Sequence, residues 1–229
     1  MNGPVKTLLF DFGGTLDADG VAWKERFHAL YRAEGLNLDG EAFAPAFYAA
    51  DDPLVGGLPS TTDLSGTVHA LTVNLESELA RRVGSHGSED RGRRVASGFL
   101  SEAAATLERN RPMLKMLRER YQLGIVANFY GNLEAVCESA GLCSFFKVMV
   151  DSHCVGAEKP DPAIFRAALD GLGAMPEETL FIGDSLRRDR EGARRMGMRF
   201  IWVAPQVAHA EQSGQQAVTG LRDLTKFLQ

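Results

Sequence analysis

Cysteine is scarce in this chain of 229 residues: Cys137, Cys143 and Cys154 are the only three. An odd number cannot close a disulfide framework, and the spacings do not suit a metal. Free thiols in a reducing cytoplasm are therefore expected. Long apolar runs are missing too. The opening MNGPVKTLLFDF has a short apolar stretch broken at once by Asp11, which argues against a signal peptide or membrane anchor. Nor is positive charge in excess. The chain has 25 basic and 30 acidic residues, a formal charge of -5, so neither nucleic acid nor an anionic membrane is an expected partner. There is no internal repeat and no long low-complexity tract. Basic residues do cluster at Arg91, Arg93 and Arg94, and at Arg187, Arg188, Arg190, Arg194 and Arg195. Both runs are read as solvated helix faces or loops.

The apolar and charged fractions, 45% and 24%, are those of ordinary soluble proteins. The length fits one large domain or a domain with an inserted module. A first strand is predicted over 5–10, apolar and short as a strand buried on both faces would be. It runs into the glycine-containing turn DFGGTLDADG. A long helical stretch follows. Trp23, Phe27, Leu30 and Tyr31 recur at helix spacing, a second helix covers 40–50, and a longer one starts near Asp63 with Leu64, Val68, Leu71, Leu75 and Leu79 on one face. Residues 84–93 read as a polar loop. Helical pattern resumes through Val95, Phe99 and Ala103, and a separate helix is predicted over 112–120.

From Pro112 onward helices and strands alternate. LGIVAN, FKVMV (146–150), TLFIGD and RFIWV read as strands, and Asp161 with Pro162 reads as the N-cap and first residue of a helix. Such alternation implies an α/β fold with a doubly wound parallel sheet. The core is expected over 1–18 and 110–229, with 19–109 inserted as a helical lid. Ligands of such sheets bind outside the carboxyl ends of the strands, where Asp11, Asn128, Lys159 and Asp184 all fall.

Asp11 and Asp184 should converge there, with Asp189 nearby. Converging carboxylates repel unless a cation sits between them, and hard oxygen ligands suit magnesium. Lys159 can balance the remaining charge. The N–H groups of Phe12, Gly13 and Gly14 could cradle a phosphate, since glycine lets the main chain approach closely. A carboxylate in this setting can act as nucleophile on phosphorus.

Taken in order, DFGGTL, LGIVAN, GAEKPDPAIF and GDSLRRDREGA resemble the four motifs of the haloacid dehalogenase superfamily, in the subgroup whose helical cap is inserted after the first motif. The resemblance covers nearly the whole chain. It implies a Rossmann-like core, Asp11 as nucleophile, and Lys159 as the group that neutralises nucleophile and phosphoryl. It also implies magnesium held by Asp11, Asp184 and the main-chain carbonyl of Gly13, with Asp189 in support. Gly13, Gly14, Asn128 and Lys159 are the expected substrate contacts.

Two positions depart from the pattern. Phosphatases of this family usually carry a second aspartate, the general acid and base, where this chain has Gly13, and a Ser or Thr where it has Ala127. Asp17 and Asp19 are close enough in sequence to substitute, but are read as capping a helix that begins near Val21. Of the five histidines, His153 alone is placed near the site, as a loop residue; His28, His69, His86 and His209 are scattered. Trp23, Lys24 and Arg26 are read as surface or core residues. The leading expectation is a magnesium-dependent phosphatase acting on a small phosphorylated metabolite, as monomer or homodimer, slow for want of the acid–base group. A 2-haloacid dehalogenase is the alternative, and a degenerate member that binds a phosphorylated ligand or a protein partner is a second. Adding the acid with Gly13→Asp is expected to raise activity if only the proton shuttle is absent.

Overall fold

The computed structural model describes residues 4–84, 87–205 and 216–228. His86 and His209 lie outside them. The first strand, β1 (Thr7–Phe10), is buried along its whole length. Successive side chains of a strand point to opposite faces, so Leu8 and Phe10 enter one apolar layer while Leu9 enters the other. This is the pattern of a strand covered on both sides.

Four helices follow before the next strand: α1 (Trp23–Ala33), α2 (Gly40–Asp51), α3 (Leu64–Val83) and α4 (Glu89–Arg118). Asp63 starts α3 by accepting the N–H of Gly66 at 2.7 Å, and Leu64, Val68, Leu71, Leu75 and Leu79 are all buried. The polar loop expected over 84–93 is shorter, because Ser88 caps α4 by accepting the N–H of Arg91 at 3.2 Å. The helices expected through Val95 and over 112–120 are one. An interior proline costs a helix roughly 3 kcal/mol. Here the buried stripe Val95, Phe99, Ala103, Leu107, Leu114 and Leu117 runs straight through Pro112 and outweighs it. Residues 109 and 110, where lid and core were expected to meet, are therefore consecutive residues of one helix.

The remaining elements are β2 (Gln122–Ala127), α5 (Leu133–Ser139), β3 (Val148–Asp151), the single turn α6 (Ser152–Val155), α7 (Pro162–Leu172), β4 (Thr179–Gly183), α8 (Glu191–Met196), β5 (Arg199–Val203) and β6 (Ala217–Val218). A π-helical turn, Leu186–Arg190, leads into α8. Neither β6 nor this turn was legible in the sequence. The six strands form one parallel sheet in the order β3-β2-β1-β4-β5-β6. The chain leaves β1 for β2 on one side and returns to pair β4 on the other. Asp11, the residue after β1, stands at this reversal, where open α/β sheets bind their ligands.

Candidate active site

Asp11 continues the ladder, its N–H donating to the carbonyl of Ile182 at 2.9 Å. The chain then turns tightly: Thr15 and Leu16 both donate to the carbonyl of Phe12, at 3.2 and 2.9 Å. Gly14 has φ +92, and a Cβ there would lie 2.5 Å from Oδ2 of Asp184. Only glycine lets the turn pass so close to that carboxylate in this conformation.

Lys159 is buried and reaches two carboxylates, its Nζ lying 2.5 Å from Oδ1 of Asp11 and 2.8 Å from Oδ1 of Asp189. Burial alone would favour loss of its proton, but the two aspartates outweigh that and hold its pKa above the ordinary lysine value. The loop that carries it is clamped by Asn128. The Oδ1 of Asn128 accepts the N–H of Lys159 at 2.8 Å, and its Nδ2 donates to the Lys159 carbonyl at 3.3 Å. Asn128 was expected to contact substrate. It lines the cleft, and one N–H and one lone pair of its amide also position the lysine.

Asp184 completes the cluster. Its main-chain carbonyl accepts the indole N–H of Trp202 at 2.8 Å, and the Thr15 hydroxyl spans Asp11 and Asp184 at 3.3 and 3.4 Å. Oxygens of Asp11, Asp184 and Asp189 lie within 4.8 Å of one another. Burial, then repulsion from Asp11 and Asp189, drives the Asp184 carboxyl well above the usual carboxylate range. Burial also lifts Asp189, to about 6, against the opposing pull of Lys159 and of the Ser185 N–H. Three carboxylates faced by one lysine leave an excess of two negative charges (three minus one) in a buried space. A hard divalent cation matches both the charge and the oxygen donors, and the bare Cα of Gly14 keeps space beside Asp184 clear. These residues fit magnesium.

On the other side of the turn the surroundings differ. A Cβ on Gly13 would meet Trp23, at 3.1 Å from Nε1 and 3.3 Å from Cδ1. The indole thus takes up the space a longer side chain at 13 would need. It is held there by Asp17, whose Oδ2 accepts the Trp23 N–H at 2.8 Å. Asp17 is fully buried and takes two further bonds, from Arg26 Nη1 at 2.8 Å and from the N–H of Gly14 at 2.7 Å. Arg26 in turn lies over the ring of Phe99, 3.8 Å from its centroid.

This corrects the expectations for Asp17 and Asp19 and for the Gly14 N–H, while Arg26 is buried as a core reading allows. Asp17 and Asp19 do not cap α1, whose N-cap is Ala22 with no side-chain bond. Asp17 ties the turn after Asp11 to α1, and Asp19 pairs with Arg109 of α4 at 2.5 Å. Arg26 is a partner of Asp17, and the Gly14 N–H, one of the three amides expected to cradle an anion, is already engaged.

Between the sheet edge and the helices lies a cleft of about 720 Å³, lined by Asp11, Gly13, Lys159, Asp184 and Asp189. Aromatic walls are supplied by Trp23, Phe47, Tyr48, Phe129 and Tyr130, and charged groups by Lys24, Asp51, Arg187 and Arg188. Asp51 accepts the Tyr130 hydroxyl at 2.6 Å. Arg187 and Arg188 are exposed, as expected of a solvated face, and also line the cleft. Arg94 pairs with Glu34 and Arg194 with Glu191 toward the surface. His153 lies on α6, packed against Gly56 and Gly131.

A family model for haloacid dehalogenase-like hydrolases matches residues 5–197. The chain belongs to that family. Among its relatives, a phosphoserine phosphatase from Thermus thermophilus is 33% identical over 121 residues, which are 51% of this chain and 49% of that protein. The chain thus spans about half the length of that relative. Haloacid dehalogenase-like hydrolase domain-containing protein 3 from Bos taurus is 31% identical over 179 residues, 76% of this chain and 71% of that one. In fold, the chain is similar to the L-2-haloacid dehalogenase from Xanthobacter autotrophicus, with a TM-score of 0.60 at 19% identity and 98% of each chain covered. No helix among the described residues is long and apolar enough to cross a membrane.

The sequence missed the set formed by Gly13, Trp23, Asp17 and Arg26. Trp23 and Arg26 share a face of α1, but no pattern ties them to Gly13 and Asp17, which only the folded turn brings beside them.

Proposed function

We propose that this hydrolase of the haloacid dehalogenase family is a magnesium-dependent phosphatase acting on small phosphorylated metabolites. One observation carries the reading: three carboxylates crowd within 4.8 Å around a single lysine, an arrangement that calls for a cation. The helices 19–109 serve as the lid over the cleft. Asp11 uses a carboxylate oxygen to attack phosphorus, the bond from phosphorus to the leaving oxygen breaks, and an aspartyl-phosphate forms on Asp11. Lys159 holds its proton and offsets the charge shared by Asp11 and the transferring group. Asn128 fixes the Lys159 loop, and the main-chain amides of Phe12 and Gly13 receive the phosphoryl oxygens. Asp11, Asp184, Asp189 and the carbonyl of Gly13 would hold the magnesium, which supplies charge neutralisation at the phosphoryl oxygens. Water then displaces the carboxylate from phosphorus and releases inorganic phosphate.

A dehalogenase reading shares Asp11 and tolerates Gly13, but gives no role to a carboxylate cluster fitted for a metal. Hydrolysis across a panel of phosphate esters is expected to require magnesium and to vanish in Asp11→Asn with the fold intact. Halide release from 2-chloropropionate without metal would favour the dehalogenase instead. Silence on both panels would point to a binding protein.

A further inference from the structure

Phosphoryl transfer from an alcohol needs a proton for the departing alkoxide, and the protic side chains that touch Asp11, those of Lys159 and Thr15, are already engaged. Lys159 is tied to Asp11 and Asp189. The Thr15 hydroxyl faces Asp11 and Asp184, and the Asn128 amide also clamps the main chain of Lys159. Gly13 offers no side chain, and the Trp23 indole lies where one would extend, its own N–H given to Asp17. Asp17 is buried under three donors, and Asp19 is paired with Arg109. Trp23 is also anchored on its other edges, its ring centroid 4.9 Å from Phe99 and 5.9 Å from Phe129. The side of the turn that faces the cleft is therefore a fixed aromatic wall.

We infer that the substrate is an aryl phosphate, an ester of an acidic hydroxyl that departs as its anion, with Trp23 as the residue that selects its ring. The inference rests on the phosphatase reading above. Two independent features lead to it: the engaged protic side chains that touch Asp11, and the aromatic lining of the cleft by Trp23, Phe47, Tyr48, Phe129 and Tyr130. In the transfer step the Asp11 oxygen bonds to phosphorus while the aryl oxygen leaves with the bonding pair as phenolate. Its proton is taken later from solvent. Water then attacks phosphorus, one of its protons going to solvent and the other leaving with phosphate, and the Asp11 carboxylate is restored. With no base poised for that second step, the aspartyl-phosphate accumulates.

The test compares 4-nitrophenyl, phenyl and benzyl phosphate on the full chain with magnesium. Benzyl phosphate keeps the ring but leaves as an alkoxide, so it separates recognition of the ring from acidity of the leaving group. General acid assistance is worth about 10² to 10⁴ in rate. Its absence predicts that kcat/KM falls at least about 10²-fold from 4-nitrophenyl to benzyl phosphate, with a burst of nitrophenolate on first mixing. Trp23→Phe and Trp23→Ala are expected to raise KM for phenyl and benzyl phosphate together and to leave their ratio of kcat values in place. Comparable rates on benzyl and 4-nitrophenyl phosphate would overturn the inference. So would an Asp51→Asn variant that slows benzyl phosphate far more than 4-nitrophenyl phosphate, since Asp51 would then be the acid. Failure on all three esters alongside hydrolysis of aliphatic phosphates would also overturn the inference, whereas silence across the whole panel of phosphate esters would overturn the phosphatase reading itself, which is a different result.

Discussion

The two flanks of Asp11 are built by opposite means. On the sheet side, Lys159, Asp184 and Asp189 bring charge into a buried space and leave it unbalanced by two. On the helix side, Oδ2 of Asp17 pairs with Arg26 and accepts the Trp23 N–H, and its Oδ1 accepts the main-chain N–H of Gly14. One flank is incomplete without a ligand; the other is complete without one. Chemistry belongs to the first and shape to the second. The balanced flank decides what may approach the unbalanced one.

Breaking the balanced flank should have the largest effect on stability. Asp17→Ala leaves the buried Arg26 with only its longer contact to Glu102 at 3.4 Å and its bond to the Phe99 carbonyl, a loss of up to about 3 to 5 kcal/mol for broken buried pairs, read as a fall in urea midpoint. Magnesium should act in the opposite direction and on the other flank. At 100 times its dissociation constant it would add about 2.7 kcal/mol by preferring the folded state, seen as a rise in melting temperature that EDTA reverses. That rise should be retained in Trp23→Phe and lost in Asp184→Asn. Gly13→Asp sharpens the comparison. Its Cβ would press on a tethered indole, at the cost of about 1 to 3 kcal/mol typical of overpacking. The simple expectation from the sequence, that an aspartate there restores activity, is therefore replaced: no gain in hydrolysis is expected unless Trp23 is shortened as well. Asp19→Ala should do least. Both partners of its pair with Arg109 are more than a third exposed, and pairs of that kind are worth at most about 1 kcal/mol.

The same contrast explains what could be read from the residues alone. The strand ends are set by short, near-continuous apolar runs. Asp11 and Asp184 directly follow two of them, and Lys159 lies on a loop beyond a third, so all three could be placed at the sheet's carboxyl edge from the sequence. The helix stripes of α3 and α7 were equally open, because their buried residues repeat at helical spacing. The union of two expected helices into α4 was not, because Pro112 signals a break that only the packing of Leu114 and Leu117 overrides. The roles of Asp17, Trp23 and Arg26 were hidden for a related reason. A buried aspartate six residues before a tryptophan carries no pattern, and its meaning depends on a turn whose shape is tertiary. Asn128 was placed correctly at the cleft, and what the sequence did not reveal is that its amide also clamps the Lys159 main chain.

The most direct test is to mix the enzyme with magnesium and 4-nitrophenyl phosphate, quench in acid within the first turnover, and map the added mass by peptide mass spectrometry. The account predicts one phosphoryl group on the peptide that carries Asp11, absent without magnesium and absent in Asp11→Asn. Undiminished phosphate release by Asp11→Asn, or a phosphoryl group on any other residue, would contradict it.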